Sequence, residues 1–195
     1  DGAPAIICGT NPDNGRFFVG TKSVFNKSPK INYTSADIRK NHGGAVGEKL
    51  EICLRELRKL GIKGILQGDL LFTKGELKTA TLDGEKNIVF TPNTITYAVP
   101  IGTPLASRIA NANLGIIFHT TYSGKSFSSL AARFGANVSR LKKVRSVFFD
   151  DAVYKDASGA KFDSGEQSKF DGILRMAEGS VGKGSIFMDK IARDT

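Results

Sequence analysis

Asp1-Gly2-Ala3-Pro4-Ala5-Ile6-Ile7-Cys8-Gly9 opens the chain, an Asp-Gly pair leading into an apolar run of strand type. Turn formers follow in Thr10-Asn11-Pro12-Asp13-Asn14-Gly15. A second strand-like run comes next, Arg16-Phe17-Phe18-Val19-Gly20-Thr21. Two such runs around a turn-rich segment spell an antiparallel hairpin. The same alternation of returning strands and inserted helices recurs downstream. The fold class expected is therefore α+β, with mostly antiparallel β-sheets.

Working outward, residues 28–40 are polar, broken by Pro29, and read as a loop that tips into a short helix after Ser35. Val46, Leu50, Cys53, Leu54 and Leu57 then share one face at helical spacing. Glu51 and Arg55 stand i,i+4 apart, and Gly61 is placed to end that helix. Residues 64–72 read as a buried strand, and Asp83-Gly84 joins runs 79–82 and 86–90 as a tight hairpin. Residues 94–99 read as another strand, and Thr103 caps a helix over 104–112. Downstream, 114–122 reads as strand, 127–134 as a short helix and Val147-Phe148-Phe149 as strand. Ser164 and Gln167 have capping-box spacing ahead of a last helix through Phe170, Ile173, Leu174 and Ala177. The Gly-rich tail past Glu178 fits no one pattern.

The 195 residues are enough for one domain with a sizeable core. Hydrophobic residues make up 40% and charged residues 24%, the balance of a soluble globular protein. No apolar run approaches the roughly 18 residues of a membrane helix. The expectation is a soluble, cytoplasmic protein with no membrane partner. The net charge of +9 favours an anionic partner, with nucleic acid the first candidate and a merely solvated surface as the other reading. Cys8 and Cys53 fall on apolar faces and read as reduced core residues. The two histidines stand too far apart in the chain to spell a metal motif. The chain opens without a methionine, which points to a fragment or a processed product.

Taken in order, Asp1-Gly2, the strand pair ending in Lys22-Ser23, the strand with Gly68-Asp69 and Thr94-Ile95-Thr96-Tyr97-Ala98-Val99 resemble the covalent nucleotidyltransferases. These are the ATP-dependent DNA ligases, RNA ligases and capping enzymes, whose signature begins Lys-x-Asp-Gly. The resemblance covers residues 1–100 and implies an incomplete nucleotidyltransferase-like catalytic domain using ATP and Mg²⁺. The lysine, expected two positions before Asp1, would attack the α-phosphate and hold the nucleotide as a phosphoramidate. Asp1 and Gly2 would turn tightly beside the nucleotide, and Lys22 and Ser23 would lie near ribose and phosphates. Asp69 takes the place of the family's Gly-Glu carboxylate, one methylene shorter, toward the ribose or the metal. Tyr97 would lie against the purine. Two family elements depart from the pattern: Glu178-Gly179-Ser180-Val181 is a late candidate for the Glu-Gly strand, and the closing Lys-x-Lys strand has no match. The wording Asp-Gly-Ala-Pro-Ala-Ile, Gly-Thr-Lys-Ser-Val-Phe and Gln-Gly-Asp-Leu-Leu-Phe-Thr is closer still to a family from large tailed cyanophages, which supplies no activity. If phage-encoded, the protein would work in the host cytoplasm.

The implied function is a phage-type ATP-dependent nucleotidyltransferase, a polynucleotide ligase in particular. This chain, lacking the nucleophilic lysine, would be inactive by itself. The alternative is a non-catalytic, basic nucleic-acid-binding phage protein of the same fold. Thr121-Tyr122-Ser123-Gly124-Lys125-Ser126 mimics a phosphate-binding loop but has His119 where that loop needs glycine, and bulky residues between. His119, on an apolar strand, is expected to be a core histidine. Arg140, Lys142, Lys143 and Arg145 carry four positive charges in a short run and are the candidate polynucleotide contacts, with a solvated loop as the other reading.

Overall fold

The computed structural model describes residues 4–152 and the backbone of 161–193, with side chains as far as 181. The chain divides into two compact units, residues 1–153 and 154–195. In the first, the order is β1 (Ala5–Thr10), β2 (Phe17–Gly20), α1 (Ser35–Asn41), α2 (Gly44–Leu57), β3 (Ile65–Thr73), β4 (Lys78–Leu82), β5 (Glu85–Phe90), β6 (Tyr97–Pro100), α3 (Pro104–Asn111), β7 (Leu114–Ser123), β8 (Ala131–Phe134) and β9 (Val147–Asp151). The main sheet runs β2-β1-β3-β7-β8, antiparallel throughout, and β9 joins β7 in parallel. A second antiparallel sheet runs β4-β5-β6. The fold is α+β with mostly antiparallel sheets.

Alternation on the central strands sorts their side chains into two layers. Ile6 and Cys8 of β1, Leu66 and Leu70 of β3, and Leu114, Ile116 and Phe118 of β7 are buried against Leu50, Cys53, Leu54 and Leu57 of α2. Each large side chain so buried contributes about 1.5–3 kcal/mol. The helical face starts one turn later than its pattern suggests, since Val46 is exposed. Gly61, at φ 67°, ends the segment as expected. Cys8 and Cys53 are free thiols in this core, and burial pushes both up, Cys53 to about 12.

Capping explains the edges of the short helices. In α1, Thr34 and Asp37 cap one another reciprocally. In α3, the Thr103 hydroxyl accepts the Ala106 N–H and Pro104 takes the first helical position.

Four local expectations are corrected. Glu51 does not pair with Arg55; it takes Arg39 at 3.7 Å, and Arg55 turns to Glu56 at 3.0 Å. Residues 127–134 are not a helix: Ser126 and Ser129 cap a single 3₁₀ turn, and Ala131–Phe134 then pairs with the end of β7 as β8. β6 begins only at Tyr97, because Asn93 accepts the Ile95 N–H and Thr91 bonds Thr96 in a turn. In the second unit, α4 (Ser164–Arg193) continues through the Gly-rich tail. It is capped by Asp163, which accepts the Gly165 and Glu166 N–H groups while Glu166 reaches back to its own, so the Ser164 and Gln167 box does not form.

Candidate functional site

The sheet face turned away from α2 carries the polar residues. Two apolar clusters cover its ends. At one end Ile7, Phe18, Val24 and Ile65 pack with Tyr122 and Phe127. At the other, Phe72 packs with Phe90 and Val99 of the second sheet, with Ile109 of α3, and with Phe148. Between them lie Gln67, Asp69, His119 and Thr120.

A β-bulge aims this strip. Gln67 pairs with Thr120 but Gly68 already pairs with Phe118, so His119 is an extra residue. A bulge shifts the alternation of the strand by one. Leu114, Ile116 and Phe118 therefore face α2, whereas Thr120 and Tyr122 face the other way beside Gln67 and Ile65. Gly68 permits the close approach of the two strands: a Cβ there would lie 2.5 Å from the Ile117 carbonyl oxygen.

The expectation that His119 is a core histidine is thereby corrected. It is half-buried, with Nδ1 2.8 Å from the Thr120 hydroxyl and Nε2 3.6 Å from an Asp69 carboxylate oxygen. The Asp69 side chain is 46% exposed, enough for a ligand to reach it. The Tyr122 hydroxyl donates to Gln67 Oε1 at 2.6 Å, which leaves the Gln67 amide NH₂ as that group's donor. Burial raises the Tyr122 pKa above its ordinary value, so the phenol stays protonated and donating near neutral pH. Phe25 packs on the Tyr122 ring at 5.0 Å and continues the wall toward Phe127. The strip thus offers a carboxylate, an imidazole, an amide donor and an aromatic wall on one sheet face.

The residues expected from sequence fall as follows. Asp1 and Gly2 lie outside the described residues. Asp69 pairs with Ala5, which sets it beside the β1 end that the Asp-Gly pair enters. Gly20 pairs with Ile7, so the chain leaving β2 toward Lys22 and Ser23 heads for the same end of β1. Lys22 is exposed, while the Ser23 hydroxyl is bonded to that of Thr21 at 2.8 Å in the cap of a 3₁₀ turn. Tyr97 stands in the second sheet, its ring stacked on Phe90 at 5.4 Å, and Phe90 in turn packs on Phe72. It belongs to the far wall of the strip, one ring removed from the floor. Glu178-Gly179 lies inside α4 and is not a strand. The basic run is divided. Lys143 and Arg145 line a groove with Arg108, whereas Lys142 gives its N–H to the Leu60 carbonyl and lays its stem over Gly61. Gln67, His119 and Tyr122 were not among the expected site residues.

Asp69 could serve Mg²⁺ as a single carboxylate ligand. Such a cation keeps several waters and takes its other ligands from substrate phosphates, so one carboxylate on an open face is compatible with it.

Among the described residues no helix is long and apolar enough to cross a membrane. A family model described as a family of unknown function (DUF6267) matches residues 1–195. No curated protein and no solved structure matches the chain.

Proposed function

The chain belongs to that family along its whole length, and we propose that it is a nucleotidyltransferase-like domain whose nucleotide lies on the polar strip of the main sheet. The activity proposed is that of a phage-type, ATP-dependent polynucleotide ligase or relative, working in the cytoplasm of the host. The observation that carries the reading is the β1–β3 register. It sets the Asp69 carboxylate opposite Ala5, on a polar strip between two apolar walls, at the end of β1 preceded by Asp1-Gly2. A nucleotide needs this combination: apolar and aromatic walls for a base and convergent polar groups for ribose and phosphate.

The proposed reaction needs a lysine two positions before Asp1. Its neutral amine forms a bond to the α-phosphorus of ATP, the bond to the bridging oxygen breaks, and pyrophosphate leaves with that electron pair while the amine loses its proton to solvent. Asp69 holds a ribose hydroxyl or the magnesium ion, which when bound screens the phosphate charge. Gln67 and His119 orient the sugar and phosphates by hydrogen bonds. Lys22 adds a positive charge at the same end of β1, and Tyr97 extends the wall.

The test uses protein carrying that lysine, incubated with α-labelled ATP and magnesium. Acid-labile label on the chain, lost when the lysine is replaced by alanine, is the expected result. A folded protein that takes label from neither ATP nor GTP would refute the reading.

A further inference from the structure

Cations gather along the outer edge of β9, which among the described residues pairs with β7 alone. A groove of about 650 Å³ runs there, rimmed by Arg108 of α3 and by Lys143 and Arg145 from the loop before β9. A smaller hollow of about 200 Å³ adjoins this trough at Arg108, Val144 and Arg145. The floor is apolar, with Val144 and the half-buried Phe149. The Arg108 guanidinium is held over the Phe148 ring at 5.0 Å, which fixes the plane of its donors. Among the described residues none of the three cations is in an ion pair. The acid lining the groove, Asp150, instead accepts the N–H of Asp151 at 3.1 Å.

We propose that this trough seats a single-stranded polynucleotide, with Arg108, Lys143 and Arg145 on its phosphates and Val144 and Phe149 beneath its sugars and bases. Three unpaired cations over an apolar floor match a ligand that is anionic along one side and flat and apolar along the other. The rival occupant, an acidic peptide added as a strand to β9, meets an obstacle. The Ala152 N–H points into the sheet, toward the Phe118 carbonyl, so the Asp151 N–H points out. Of the two outward donors on β9, those of Phe149 and Asp151, the second is already held by Asp150, which leaves one where strand addition depends on a row of them. The seat differs from the basic run as a run, because it takes Arg108 from another element and leaves Arg140 and Lys142 out. It stands whether or not the polar strip handles a nucleotide.

The test is fluorescence anisotropy of the whole chain with a labelled oligothymidine of about 20 nucleotides, titrated between about 50 and 200 mM salt. Substituting Arg108, Lys143 and Arg145 together by serine should flatten the slope of log K against log salt by about 2, at about 0.7 per lost contact. The Arg140→Ser, Lys142→Ser pair should leave the slope within about one contact of the wild type. If the triple variant does not fold, Lys143→Ser with Arg145→Ser, both at exposed loop positions, should flatten it by about 1.4. An unchanged slope in the groove variants, an equal loss in the control pair, or poly-glutamate displacing the oligonucleotide at equal charge would each overturn the proposal. None of these outcomes bears on lysine labelling by ATP, so the two readings fail separately.

Discussion

Replacing Glu56 by glutamine perturbs a charge that stands alone among the described residues in being deeply buried. The side chain is 1% exposed. It receives Lys59 at 2.6 Å, Arg55 at 3.0 Å and Asn113 at 3.2 Å, and so ties the end of α2 to the start of β7. Burial alone would raise its pKa, but the bonds from Lys59, Ser146, Arg55 and Asn113 outweigh that and hold it at about 2. Against an unfolded value near 4.5, the shift corresponds to roughly 3 kcal/mol, at about 1.4 kcal/mol for each tenfold change in acidity. Lys59 and Arg55 are 44% and 61% exposed, so water screens their share and about 2 kcal/mol is the better expectation. For a chain of this length that lowers Tm by about 4–8 °C at pH 7. Because the folded pKa is depressed, the stabilisation is complete above the unfolded value. It is lost as pH falls from about 4.5 toward about 2. Urea melts of the wild type and Glu56→Gln at several pH values should therefore differ most at neutral pH and converge in acid. A neutral-pH difference below about 0.5 kcal/mol, or a gap that does not narrow in acid, would refute the reasoning.

Other expectations concern the strip. Gly68→Ala should destabilise by about 1–3 kcal/mol, because its Cβ would press on the Ile117 carbonyl oxygen. Gly64→Ala, with nothing within 4 Å of the new carbon, should be close to neutral in the same melts. Asp69→Asn should leave folding intact and weaken ATP binding by calorimetry, and unchanged binding would make Asp69 a structural residue. Tyr122→Phe should cost about 1 kcal/mol, since it leaves Gln67 Oε1 without its donor, and equal melts would mean that water replaces the hydroxyl.

The sheet was legible where pattern and geometry share a period. The hairpin of β1 and β2, the apolar face of α2, the Asp83-Gly84 turn and the Thr103 cap each rest on local rules, and each forms. The strip was less legible because a bulge makes it. Nothing in Leu114-Gly115-Ile116-Ile117-Phe118-His119-Thr120 says that alternation slips at His119. The slip is a property of the β3–β7 pairing, which Gly68 allows. The nature of β8 also depended on a partner, the free end of β7, that local sequence does not name. The basic run misled in a different way. Adjacent residues on an irregular loop do not share a face, so Lys142 lies against Gly61 while Lys143 finds Arg108.

The polar strip also has a thermodynamic signature. Apolar clusters flank it on the same face, with Ile117 beside Asp69 on the neighbouring strand and packed into the cluster around Phe72. A fold selected only for stability would join the two clusters through leucine or isoleucine at Asp69. The carboxylate, 46% exposed, makes one long contact with His119 at 3.6 Å, too long for a strong hydrogen bond. Its contribution to stability is therefore small, while a leucine would extend the Phe72 cluster by a few tens of Å² of buried apolar surface. At about 25 cal/mol per Å², Asp69→Leu should raise stability by about 0.5–1 kcal/mol while abolishing nucleotide binding. Urea midpoints measure the first effect and calorimetry with ATP the second. A loss of about 1 kcal/mol or more in place of the gain would show that Asp69 holds His119 in its bulge, and would move it from ligand contact to scaffold.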